Sequence, residues 1–589
     1  MSTASKLATP ATALAALTAF GLFASAGLAA PVVPVNPAEL ILKNGKVYTD
    51  PLAGPTETHS KGGVFWSQAI SIREGNIMSI GTDRVVERDR GPSTRVIDLK
   101  GRVVLPGFND AHVHLMNGGL ALTRIDLAGV TTVAQLQQTL RAYAAANPAK
   151  RWLLGQGWDE ALFPGRKSPT KEDVDAAVSD RPVLLWHGDQ HSLLLNTKAF
   201  EALRITASTP SPKNGEIQKN DKGELTGLLL EEAAFEAAQK ADNPGFEELR
   251  TAFLAAQDLA SRYGITSVQG GPIRGEEEVR VVEELYQQHK LHLRYSMWGD
   301  LEKPQELITL RNKYKHLPDD WVRFDAVKGF VDGVLHSRTA ALDDPYSDDI
   351  HSRGEPLYTP ERLAELVLTA NRLGLTVALH AIGDRAVTMA VNAFAASKRQ
   401  LFNSRLRNRV EHIEVAPPYV FSKFADHHIV ASMQPSHMMY ENEAANYNEA
   451  RLGPVRVKEA FAVKAFVSSN AHVAFGTDWP VESLNPIRGL FAAVFRQMLN
   501  GKPAQGWQPA QKIPVSEAVD AYTLEPAYAT REEHVKGSLR EGKYADLVVL
   551  DQDIFKARDR DFLKTGVYLT VAGGKIVYDG SQPEIRAAK

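Results

Sequence analysis

Residues 103–114 read VVLPGFNDAHVH, and on this stretch the fold turns. The uncharged run VVLPGF has the character of a parallel strand buried on both faces. His112 and His114 follow it two residues apart, so along an extended chain they point to the same side and can grip one ion. Seventeen histidines in 589 residues would give about half of one such pair by chance, so His-x-His alone says little. The pattern, however, recurs. VRFDAVKGF (322–330) carries Lys328, LTVALHAIGD (375–384) carries His380, RVEHIEV (409–415) carries His412, and HVAFGTDWP (472–480) carries Asp478. A metal needs several deprotonated nitrogen and oxygen donors converging on one point. A parallel barrel supplies that convergence by ending successive strands around one mouth.

Working outward, GITSVQG (264–270), LHLRYSMWG (291–299) and IVASMQP (429–435) complete eight apolar runs. Helical patterns such as EEEVRVVEELYQQ and PERLAELVLTANRLG lie between them. The second has Thr359 as N-cap, Pro360 at the first helical position and Gly374 at its end. Eight strands alternating with helices predict an α/β fold, a (β/α)8 TIM barrel.

Both flanks are different. LILKNGKVYT, AISIREGNIMSIG and RVIDLKGRVV alternate apolar and polar residues, with hairpin-type pairs at Asn44-Gly45 and Gly75-Asn76. ADLVVLD and GVYLTVAGGKIVYDG repeat the style near the C-terminus, with Gly573-Gly574 at the turn. Neither flank holds enough apolar residues for its own core, so the two termini are expected to pack as one composite β-sandwich.

Roughly 150 residues separate the first strand from GITSVQG, where a βα unit takes about 30. An insertion at about 121–245, beyond the first barrel helix, is therefore expected. Placed after strand one it falls on the catalytic face, as a lid or specificity element or else as a surface excursion.

Composition excludes several classes. With no cysteine there are no disulfides, thiolate metal sites or Cys nucleophiles, and a net charge of −3 without basic blocks gives no sign of nucleic-acid binding. Residues 11–30, ATALAALTAFGLFASAGLAA, follow a single Lys and end in small residues, the pattern of a cleaved secretion signal at 1–29, with an uncleaved anchor as the other reading. The expected location is periplasmic or secreted, with no membrane attachment after cleavage.

Lys328 is the odd member of the set. A lysine normally carries a positive charge, but burial in an apolar strand penalises that form. It either pairs with Asp325 or Asp332, or reacts as the neutral amine with CO2 to give an anionic carbamate able to bridge two ions. Asp478 could ligate a metal, take a proton from a bound water, or do both.

PGFNDAHVH, VKGFVDG, LHAIGDRA, VEHIEV and FGTDWPVESLNP resemble the amidohydrolase superfamily, in its YtcJ-like branch (amidohydrolase family 3); GWDEALFP, GDQHSLLLNTKAF, MQPSH and KGSLREGKYADLVVLDQD are similar to further signatures of that branch. The resemblance implies a distorted (β/α)8 barrel with a composite β-sandwich. The chain then divides into 1–29, 30–105 and 536–589 for signal and sandwich, with 106–535 as the barrel. It implies that His112, His114 and Asp478 hold one divalent metal, His380 and His412 a second, zinc being expected for both, and that carboxylated Lys328 bridges them. The implied activity is hydrolysis of a non-peptide C–N bond (amide, N-formyl or cyclic amide) by a metal-activated hydroxide, with Asp478 as catalytic proton shuttle. An esterase, lactonase or phosphotriesterase on the same site, a deaminase, and a non-catalytic binding or regulatory protein stand as alternatives. The expected partner is a small-molecule substrate, with a homodimer left open. His437, His191 and Trp158 are the first candidates for substrate contact, alongside Asp159, His336, Arg338, Tyr346 and Gln434.

Overall fold

The computed structural model describes residues 36–49, 65–188, 192–213, 215–241, 243–402, 404–439 and 446–581. The segment read as a signal, 1–29, and His191 lie outside them.

Eight parallel strands form the central sheet: β1 (Phe108–Asp110), β2 (Ile265–Gly270), β3 (Arg294–Asp300), β4 (Val322–Phe330), β5 (Thr376–Ala381), β6 (Arg409–His412), β7 (Val430–Met433) and β8 (His472–Phe475), paired in chain order. The ring draws together just beyond the paired residues. Ala111 N donates to Phe475 O at 3.0 Å, and Asp478 N to His112 O at 2.7 Å. That approach requires glycine at 476, where a Cβ would stand 2.4 Å from His112 N. The residues that close the barrel are thus the neighbours of the proposed ligands, or the ligands themselves. The helix Pro360–Arg372 between β4 and β5 starts on Thr359, whose hydroxyl accepts from Arg362 N, and it is followed by Gly374 at φ 76°. Its buried Leu363, Leu366, Val367 and Ala370 recur at helical spacing and form the face that joins the main core.

The run VVLPGF, read as one barrel strand, divides at Gly107. Val103–Pro106 belongs to a six-stranded sheet and only Phe108–Asp110 to the barrel. A Cβ at Gly107 would lie 2.2 Å from Thr266 Oγ1, so a side chain there would push the two sheets apart. The six-stranded sheet is composite: Lys575–Asp579, Val567–Ala572 and Leu547–Leu550 from the C-terminus continue into Val103–Pro106, Lys46–Thr49 and Phe65–Ser67. It faces a four-stranded N-terminal sheet across a common core that includes Leu42, Ile70, Val104, Leu547 and Val571. Asn44-Gly45, read as a hairpin turn, instead carries the chain from one sheet to the other, because Leu40–Lys43 and Lys46–Thr49 pair with different partners. Gly573-Gly574 does join an antiparallel pair. A buried bidentate ion pair, Arg294 to Asp546 at 2.6 and 3.1 Å, ties the barrel to the sandwich.

The long excursion after β1 is a folded unit. Ile125–Asp126, Leu153–Trp158, Val183–His187, Ser192–Leu195, Leu225–Glu231 and Gly215–Lys219 form a six-stranded mixed sheet, with apolar clusters on both faces. It leaves the barrel after the helix Leu115–Thr123 and returns at the helix Phe246–Arg262; these two helices pack on each other. The longer one, which leads into β2, therefore comes after the insertion rather than before it.

Candidate metal centre

The strand ends bring the predicted ligands together. Lys328 (β4), His380 (β5), His412 (β6) and His112 are all buried, at 2, 7, 5 and 1% exposure. Lys328 Nζ lies 3.1 Å from His112 Nε2. Asp478 Oδ1 is 3.2 Å from His114 Nε2 and 3.4 Å from His112 Nε2, and its Oδ2 is 3.9 Å from His412 Nδ1. Donor atoms of His112, His412 and Asp478 all fall within 4.8 Å of one another. The rings of His112 and His412 are 4.9 Å apart, and those of His380 and His412 4.5 Å. His412 and Asp478 both hold left-handed backbone, φ 74° and 58°, a conformation that costs free energy in non-glycine residues and concentrates at functional sites. In both, the turn breaks the strand alternation just where a side chain must swing into the mouth.

Around these residues runs a polar shell that sequence reading missed. His112 directs Nδ1–H to Glu411 Oε2 at 2.5 Å, which leaves Nε2 as its donor toward the centre. Glu411 is held in turn by Arg409 Nε at 2.5 Å. Arg409 also reaches Gln269 Oε1 (2.6 Å), Ala111 O (2.8 Å) and Ser432 Oγ (2.6 Å), joining four strands or strand ends across the barrel interior. Asp110 accepts from His112 N, Thr477 N and Thr477 Oγ1, linking the ends of β1 and β8. Asp332 accepts from Ala341 N, Ile382 N and Gly383 N, clamping the loop after β4 to the one after β5. The one available signal was charge inside a buried strand: RVEH places Arg409 and Glu411 on the same face, two residues apart.

The electrostatics suit a cation. Burial pushes His112 down to about 4 and His380 to about 3, and holds His412 well below the usual histidine value, so all three imidazoles are neutral at pH 7. Burial alone would raise Asp478, but His112, His114 and His412 hold it well below the usual carboxylate range. Burial brings Lys328 down to about 8, which puts a fraction of neutral amine within reach at physiological pH. The salt-bridge reading of Lys328 finds its named partners engaged elsewhere: Asp325 with Arg323 and Ser296, Asp332 with three backbone amides. His412 Nδ1 is buried with no hydrogen-bond partner. Neutral nitrogen donors, one anionic carboxylate and an orphaned buried nitrogen fit a divalent metal. His380 donates Nε2–H to Gly333 O at 3.0 Å, leaving Nδ1 for ligation.

Of the substrate candidates, His437 lies at the centre: its ring is 5.9 Å from that of His412, and Nε2 is 3.6 Å from Asp478 Oδ2. Gln434 is buried at the end of β7. Trp158 does not join them. It is 1% exposed in the core of the inserted sheet, with its indole N–H donating to Leu185 O at 3.0 Å, so both its face and its polar atom are used in packing. Tyr346 is buried with its hydroxyl on Ala340 O, Arg338 pairs with Asp348, Asp159 caps the turn at Ala161, and His336 packs against Tyr447. A cavity of about 610 Å³ opens beside Asp332 and Gly333, lined further by Arg338, His351, Arg353 and Leu357.

The amidohydrolase family profile matches residues 95–578. The chain is 31% identical over 521 residues to the Bacillus subtilis (strain 168) protein YtcJ, covering 87% of this chain and 96% of that one. It is 26% identical over 539 residues to an N-substituted formamide deformylase of Arthrobacter pascens, covering 87% and 95%. Among solved structures, a metal-dependent hydrolase from Pyrococcus furiosus superposes with a TM-score of 0.72 at 27% identity, over 88% of this chain and 100% of that one. With the barrel, the sandwich and the converging ligand set in place, the chain belongs to the amidohydrolase family, in its YtcJ-like branch.

Proposed function

We propose that the protein hydrolyses a non-peptide C–N bond in a small molecule: an amide, N-formyl group or cyclic amide. The observation that carries this reading is the buried cluster of neutral His112, His380 and His412 around anionic Asp478 and Lys328. The formamide deformylase among the relatives supports the C–N bond. His112, His114 and Asp478 would hold one divalent ion, and His380 and His412 a second, with zinc suited to these nitrogen and carboxylate donors. Lys328 would bridge them as a carbamate, its amine adding to CO2 with loss of one proton. When bound, such ions acidify a water and polarise a carbonyl.

The side chains do the rest. Asp478 takes the proton from the attacking water and returns it to the departing nitrogen, so that one water is consumed and a carboxyl group and an amine are formed, on separate molecules from an open-chain amide and on one ring-opened molecule from a cyclic one. His437 faces Asp478 from the β7 end, with Glu414 Oε1 3.7 Å behind it at Nδ1, and is placed to contact the substrate. Metal analysis of purified protein should find about two ions per chain. Zinc-loaded protein screened against N-acyl, N-formyl, cyclic amide, lactone and phosphotriester compounds should act on the first three. Metal-free protein of full stability, or turnover confined to esters, would overturn the reading.

We propose also that the protein is exported, on the composition of residues 1–29. N-terminal sequencing from the native host should begin near Ala30 or Pro31. Among the described residues, no helix is long and apolar enough to cross a membrane.

A further inference from the structure

At the mouth end of β7 the chain reads Gln434-Pro435-Ser436-His437, and its polar side chains are in an unusual state. Gln434 is 1% exposed, yet neither its amide nitrogen nor its amide oxygen has a hydrogen-bond partner. Ser436 Oγ and His437 Nε2 are likewise buried without a hydrogen bond, His437 Nε2 having only the 3.6 Å approach of Asp478 Oδ2. The great majority of buried polar atoms are paired, because each unpaired one forfeits its hydration without return. Four such atoms within four residues point to something absent from the chain itself.

Their position says what it is. Ser432 Oγ meets Arg409 inside the barrel, and strand alternation puts Gln434, two residues on, on the same inner side. Gly476 N donates to Met433 O, which sets Gln434 beside the chain segment that carries Asp478. Three residues later, the His437 ring stands against His412. The free carboxamide therefore belongs to the wall of the reaction site.

We infer that Gln434 reads the substrate through a two-point hydrogen bond to an amide whose N–H and C=O lie on one edge, as in a lactam or cyclic urea. A primary carboxamide presents an acceptor oxygen and a donor N–H side by side. Its full complement is a group offering a donor and an acceptor with the same spacing. A ring forces that cis arrangement. An open-chain secondary amide is trans by preference and shows its N–H and C=O on opposite edges, so it satisfies one Gln434 atom at a time. Esters, lactones and phosphotriesters have no donor, and Oε1 stays unpaired against them. The inference rests on the C–N hydrolase reading and narrows its substrate class.

The test compares 2-pyrrolidinone with cyclopentanone, a ring of the same size with the carbonyl alone, by ligand-observed NMR titration of the full-length metal-loaded enzyme. The lactam should bind at least about tenfold more tightly, the worth of one good hydrogen bond. Gln434→Leu should erase that preference while metal content holds and thermal stability stays level or rises, since two unpaired buried atoms are removed. Gln434→Glu keeps the shape and the acceptor but loses the N–H donor that both rings use, so it should weaken both rings by a similar factor while the lactam stays ahead of the ketone; it serves if the leucine variant fails to fold. Equal binding of the two rings to the wild type, a preference that survives Gln434→Leu, or ring binding that Gln434→Glu leaves unchanged would overturn the inference. A lactam preference in an enzyme that cleaves no C–N bond in the substrate screen would leave recognition standing and sink the catalytic reading instead.

Discussion

Glu411 Oε2 sits 2.5 Å from His112 Nδ1, a carboxylate at the end of β6 fixing the tautomer of an imidazole just beyond β1. The bond aims Nε2 at the centre and makes the ring a better donor. Burial alone would raise Glu411, but Arg409 and His112 hold it far below the usual range, so it is a permanent anion. Glu411→Gln should lower metal affinity about 10- to 100-fold, the usual cost of losing an outer partner of a ligating histidine. Competition with a chromophoric chelator measures it, and unchanged affinity would show that ring packing alone orients His112.

Lys328→Ala should empty at least one metal position and cut activity by more than about 100-fold, beyond the range for outer-shell losses. Acetate or propionate, able to occupy the vacated carbamate position, should restore part of it. Full activity with both metals retained would refute the carbamate.

Asp478→Asn keeps the shape and loses the base. Turnover should fall by about 10²- to 10⁴-fold, the span of general acid–base contributions. The acidic limb of the pH–rate profile should disappear or move. A variant near normal turnover would pass the proton to another group, with His437 the first to examine.

His380 gives a pH test in metal-free protein. Its folded value, about 3, lies below the ordinary 6.5 because burial opposes the charged ring. Between those values the unfolded chain binds a proton that the native state refuses. Stability is therefore complete above pH 6.5 and declines as the pH falls toward 3. Against His380→Asn, which has no such proton, the wild type should lose up to about 1.4 kcal/mol for each pH unit below 6.5. Urea midpoints at pH 7, 6 and 5 decide it, and a difference that does not vary with pH would contradict it.

Asp546→Ala leaves the guanidinium of Arg294 buried without its carboxylate. The cost should be about 3–5 kcal/mol, read by urea denaturation. Pairing it with Arg294→Met should recover much of the loss, and a double variant as unstable as Asp546→Ala would locate the damage elsewhere.

The barrel was legible because its strands are nearly unbroken apolar runs, and the candidate ligands because each lies at or near the end of such a run, where a core would not choose it. What escaped had local reasons. VVLPGF holds no polar break, so its apolar character alone runs two strands together, and only the Pro106-Gly107 pair marks where the chain leaves one sheet for another. Asn44-Gly45 has the chemistry of a tight hairpin, but the register of Leu40 with Ile72 and Arg95 is set by distant strands. Trp158, named as a candidate for substrate contact, fills the insertion core with its indole instead. Arg409 and Glu411 drew no comment in the sequence, and the structure turns both into the barrel, where each balances the other.

The seam between β1 and β8 carries a consequence of its own. Ala111 to Phe475 and Asp478 to His112 are backbone bonds made by the residues that present the donors or by their neighbours. Any opening of the ring at this point must separate His112 from Asp478, and any ion held by both resists that separation. Loading would then slow amide hydrogen exchange first at Ala111 and Asp478, and chelation would release those two amides before the rest of the sheet, so that this seam reports the metal content of the protein.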